Sequence, residues 1–163
     1  MSTRYYHLCH LLHRLTLGIC QALVLLLLLL QVSVVILRYC FGVGFLELQD
    51  LTAYVFASLV TLSIPVALVL ERHVRVDVWR ERQTRSQQSL CDRFAVWLLL
   101  VPVFLLSLYL VYPDIAYAWR IREGSRESGG LAGVYLVKTL FPLSCVLMIL
   151  QGVASILPHR PAG

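Results

Sequence analysis

Apolar residues fall into four long runs separated by more polar stretches, and this alternation dominates the chain. The runs cover 15–37, 51–70, 94–112 and 139–157, broken inside only by amides, small hydroxylated residues, glycine and proline. About 20 apolar residues in a helix cross a hydrocarbon core of roughly 30 Å. Backbone groups in lipid must be hydrogen-bonded internally, so each run predicts a transmembrane α-helix. The expected fold is an all-α membrane protein, one domain over 1–163 with four spanning helices. The first run is longer than a secretory h-region of roughly 7–15 residues, and no small-residue cleavage pattern follows it. It reads as a retained span.

The polar stretches add local detail. Arg4, His7, His10 and Arg14 recur every three or four residues near the N-terminus, with His13 flanking them and Tyr5, Leu8, Leu11, Leu12 and Leu15 on the other face. Two readings stand: an interfacial helix on the membrane surface, or a helical extension of the first span into water. In the second loop, His73, Arg75 and Asp77 alternate with valines, so one side suits the lipid boundary and the other suits water. Asp77 is placed to cap a following interfacial helix, and Arg75 to reach a lipid phosphate or a carboxylate with its planar fork. The third loop is polar and glycine-rich over 120–130, the mark of an exposed turn.

Composition agrees with the runs. Hydrophobic residues are 59% and charged residues 14%, with a mean hydropathy of +0.77. A soluble domain has about 45–50% apolar and about 25% charged residues, and a small domain leaves too much surface exposed to hide the excess. Disorder is excluded by the same figures.

The charge pattern sets topology. There are 14 Lys and Arg against 9 Asp and Glu, a net charge of +5. Nine of the basic residues lie before the first run, in the second loop and at the C-terminus, with six in the second loop alone. By the positive-inside rule both termini are expected to be cytoplasmic. No basic helix or aromatic-interleaved patch appears, so no nucleic-acid partner is expected.

Candidate chemistry is sparse. Ionisable residues inside a membrane mark function, because a charge at mid-bilayer costs roughly 2.5–3.5 kcal/mol on the mildest scale. Here Arg38, Glu47, Asp50, Glu71, Asp114 and Lys138 all sit at or beyond run ends, Lys138 with a stem long enough to snorkel to the interface. An internal proton relay or ion site is not expected. The five histidines (His7, His10, His13, His73 and His159) lie outside the runs, so a haem held between transmembrane histidines is not supported. The N-terminal three read as a wetted helix face. Five cysteines without a C-x-x-C pair indicate neither a disulfide framework nor zinc, and read as structural filler. No nucleotide loop or nucleophile–base constellation is present, so no catalytic residues and no cofactor are assigned. Pro65, Pro102 and Pro142 interrupt three runs and read as structural bends. Gln21, Gln31 and Gln151 are suited to hydrogen bonds between helices, and Ser33, Ser58, Ser63 and Ser144 to close helix approach.

Four stretches in order carry a family resemblance: Arg38-Tyr39-Cys40-Phe41-Gly42 closing the first run, Glu47-Leu48-Gln49-Asp50 entering the second, His73-Val74-Arg75-Val76-Asp77 after it, and Lys138-Thr139-Leu140-Phe141-Pro142-Leu143 entering the fourth. With the four-span layout they make the chain resemble the small, Q-type membrane subunit of tripartite ATP-independent periplasmic (TRAP) transporters. Many such subunits carry two glutamates where this chain has Gln49 and Asp50, so one charge is lost and the other has a shorter reach. The resemblance implies a non-catalytic scaffold in the bacterial inner membrane. Its partners would be a large sodium-coupled membrane subunit and a periplasmic substrate-binding protein, importing organic acids. Candidate contacts with partners or lipids are Arg38, Glu47, Asp50, His73, Arg75, Asp77, Arg122, Arg126 and Lys138. The alternatives are a stand-alone small transporter and a membrane anchor for a redox complex.

Overall fold

The structure, a computed structural model, describes residues 2–69, 90–91, 93–125 and 130–156. Four long helices form a bundle: α1 (Ser2–Cys40), α2 (Leu46–Val69), α3 (Val101–Ile121) and α4 (Val134–Ile156). A π-helical stretch, Ala95–Leu100, leads directly into α3. All four helices are long and apolar enough to cross a membrane. The expected interfacial helix of the second loop, with its capping residue Asp77, lies outside the described residues.

The helices overrun the apolar runs, because hydropathy marks lipid contact and not helix ends. The N-terminal pattern is part of α1, which is unbroken from Ser2 to Cys40. Its 39 residues reach about 58 Å at 1.5 Å per residue, close to twice the hydrocarbon thickness. Helix α3 continues beyond 112 through Pro113 and Asp114 until Arg122 adopts a left-handed conformation (φ 49°, ψ 55°). The Arg122 N–H then bonds back to the Ala118 and Trp119 carbonyls, closing the helix.

The packing order differs from the chain order. α2 and α4 pair at the centre, α1 packs mainly on α2, and α3 with its π stretch packs on α4. Cys20 on α1 meets Leu62 and Val66 of α2, with Leu17, Leu23 and Leu59 around them. Pro65 and Cys145 are the largest fully buried side chains. Of the cysteines, Cys9, Cys20 and Cys145 fill the interior as expected, whereas Cys40 and Cys91 are exposed and fill nothing.

Two prolines explain local geometry. Pro65 has no N–H, so the Thr61 carbonyl one turn earlier loses its helical donor. Ser144 on α4 supplies the replacement, its hydroxyl donating to that carbonyl at 2.7 Å. Pro102 likewise deprives Leu98 and crowds its carbonyl, and the preceding turn widens so that the Val101 N–H bonds Val96, five residues back. Where the widened turn meets α4, Gly152 lies against Leu100, and a Cβ at 152 would stand 2.9 Å from both Leu100 methyls.

Candidate functional site

The polar chemistry of the described chain concentrates at the end of the bundle where α1 turns into α2 and α3 into α4. Asp50 and Tyr54 are four residues apart on the first turns of α2, and so share one face. Both bond main-chain groups of Leu131 in the third loop. The Leu131 N–H donates to Asp50 Oδ2 at 2.9 Å, and the Tyr54 hydroxyl donates to the Leu131 carbonyl at 2.7 Å. That carbonyl also accepts the Ser125 N–H at 3.0 Å, and a bridge between Gly124 and Ala132 squares the two sides of the loop. Gly130 is the close-approach residue, since a Cβ there would overlap the Asp50 carboxylate and the Ser125 side chain.

A second group joins α3 to α4. The Lys138 ammonium lies 2.8 Å from Glu123 Oε2 and 3.1 Å from Asp114 Oδ2. Trp119 Nε1–H donates to the Thr139 hydroxyl at 2.9 Å, and its ring meets Tyr135 edge-on with centroids 4.8 Å apart. Thr139 in turn donates to the Tyr135 carbonyl at 2.7 Å. The Lys138 ammonium is thus held by two carboxylates of its own chain.

The remaining sequence candidates divide clearly. Arg38 is exposed and borders a cavity of about 10 Å³ with Val34, Leu37, Val43, Gly44, Phe45, Leu48 and Gln49, room for one water. Glu47 and Gln49 are exposed on the first turn of α2, and Arg122 is exposed at the α3 cap. His73, Arg75, Asp77 and Arg126 lie outside the described residues. The structure thus brings Asp50 and Lys138 into intramolecular networks and leaves Arg38, Glu47 and Arg122 on the surface. Tyr54, Trp119, Thr139 and Gly130 were not anticipated, although the four-residue step from Asp50 to Tyr54 is a readable pairing signal.

The opposite end is held by α1 and α4. The Tyr5 hydroxyl donates to the Leu150 carbonyl at 2.7 Å, and Cys9 Sγ lies 4.0 Å from the same oxygen. His7 and His10 are exposed as a wetted face requires. His13 is not: it is buried, on the stripe with Cys9, Thr16 and Cys20. Among the described residues no group of three or more His, Cys, Asp or Glu side chains is placed to hold a metal.

These features define a multi-pass membrane protein whose polar groups fasten helices to one another. Residues 24–160 match the family model described as tripartite ATP-independent periplasmic transporters, DctQ component. The chain belongs to that family, the small component of TRAP transporters. No curated protein matches the chain, and no solved structure matches it.

Proposed function

We propose that this chain is the non-catalytic scaffold subunit of a TRAP transporter, bracing the large membrane subunit that carries substrate and sodium. The observation that supports it most is the placement of charge. No Asp, Glu, Lys, Arg or His lies within 15–37, 51–70, 94–112 or 139–157, where such groups mark a substrate or cation pathway. Asp50, Asp114, Glu123 and Lys138 bond within the chain instead. In this reading the chain sits in a bacterial inner membrane with both termini cytoplasmic. It works with a periplasmic binding protein that delivers organic acids.

Deleting the chain from an otherwise intact transporter should abolish uptake, while the purified chain should bind neither organic acid nor sodium by calorimetry. Substrate or sodium binding by the chain alone would refute the scaffold assignment. A further contact is proposed at the loop end, where Arg122 is exposed and Leu131 of the same loop is bonded to Asp50. Charge reversal at Arg122 and Arg126 should weaken docking of the binding protein, and unchanged docking would remove that contact.

A further inference from the structure

Polar side chains in a bilayer need partners, and most of those in this bundle have them. From Thr16 onward every described Ser and Thr hydroxyl inside the four helices donates to a carbonyl, including the outward-facing Ser33 and Ser107. The amides Gln21, Gln31 and Gln151 are exceptions, Gln151 inside the bundle. Gln21 and Gln31 are exposed, and neither has a hydrogen-bond partner among the described residues. They lie ten residues apart on α1, roughly 15 Å along its axis and both within hydrocarbon depth.

Their spacing is not arbitrary. Gln21, Val24, Leu28, Gln31, Val35 and Arg38 recur at alternating steps of three and four, the seam along which one helix receives another. All six are exposed. A separate seam with the same rhythm, Leu23, Leu27, Leu30, Val34 and Leu37, is partly buried, on a helix that packs mainly against α2. The chain itself thus occupies the Leu23–Leu37 seam and leaves exposed the seam that carries both amides.

We propose that the Gln21–Arg38 seam docks a transmembrane helix of a different subunit, one with hydrogen-bonding side chains at two levels roughly 15 Å apart and an acidic group at the membrane boundary. Amides in lipid select such a partner, since each can donate and accept across the interface. Arg38 selects against a second copy of this chain. Copies inserted in one orientation and related by an axis along the membrane normal would set Arg38 against Arg38, a like-charge contact. A carboxylate opposite Arg38 converts it into an attraction. This assignment rests on the scaffold reading, and names the face through which the bracing acts.

The test uses the complex co-expressed with the large membrane subunit. A photo-crosslinking residue is placed at Val24 or Leu28 on the seam, and at Leu26 or Leu29, which are also exposed on α1 but off it. Crosslinks to the large subunit are expected from 24 and 28 and not from 26 and 29. Gln21→Leu and Gln31→Leu should each weaken co-purification roughly threefold, and the double variant about tenfold, with the melting temperature of the isolated chain unchanged. Crosslinks from 26 and 29 alone, with the complex intact, would overturn the seam and leave the scaffold reading standing. A crosslinked dimer of this chain from 24 and 28 would overturn the choice of partner. Failure of the unmodified chain to co-purify with the large subunit would overturn the scaffold reading itself.

Discussion

The Ser144 hydroxyl on α4 donates to the Thr61 carbonyl on α2 at 2.7 Å, and that carbonyl is open because Pro65 has no N–H to give it. The proline in one central helix and the serine in the other are thus a single device. Ser144→Ala should destabilise the bundle by about 1–3 kcal/mol, the cost of a buried acceptor left alone. In a Pro65→Ala background the helical donor is restored, and Ser144→Ala should cost well under half as much. Thermal melting in detergent for the four chains of this cycle measures the coupling. Strict additivity would show that the two residues act independently.

Asp50 and Tyr54 hold one residue, Leu131, by its main-chain N–H and its carbonyl. Asp50→Ala should cost about 1.5–3 kcal/mol, as for hydrogen bonds to charged groups, and Tyr54→Phe about 1 kcal/mol. Because both act on Leu131, the double variant should lose less than the two losses added. Limited proteolysis of the third loop should accelerate in parallel with the loss of stability.

Gly130→Ala should be harmful where Gly124→Ala is mild. At 124 an added methyl meets Ala132 Cα at 3.6 Å, ordinary contact, whereas at 130 it strikes the Asp50 carboxylate and Ser125. A loss of about 1–3 kcal/mol is expected at 130 and within about 0.5 kcal/mol at 124. Asp50→Ala should relieve part of the Gly130→Ala penalty, which a melting series would register.

Lys138→Met removes both ion pairs while keeping the apolar stem. The side chain is 30% exposed and Asp114 60%, so solvent screening limits the effect to about 1 kcal/mol or less. It should be larger at low salt than at high salt, and a salt-independent loss would point to packing as the cause.

The four spans were legible because lipid imposes a compositional rule on every residue of a run. Their ends were not, since a helix end in water depends on local bonds such as the left-handed cap at Arg122. Asp50 was legible as a candidate from its position at a run end. Its partner was not, because Leu131 engages through its peptide and a main-chain group leaves no side-chain signature in sequence. Lys138 read as a residue bound for the interface. Glu123 lies 15 residues away and bonds it only because α3 and α4 are antiparallel neighbours. His13 read as wetted from its polarity, yet the steps from Cys9 through His13 and Thr16 to Cys20 place it on the stripe that enters the bundle.

With α2 and α4 paired at the centre, α1 on one flank and α3 on the other, the helices stand as a row more than as a ring. Seen from above the membrane such a protein is a fence, with two broad sides and little enclosed space. A fence presents more boundary to its surroundings than a barrel of equal mass.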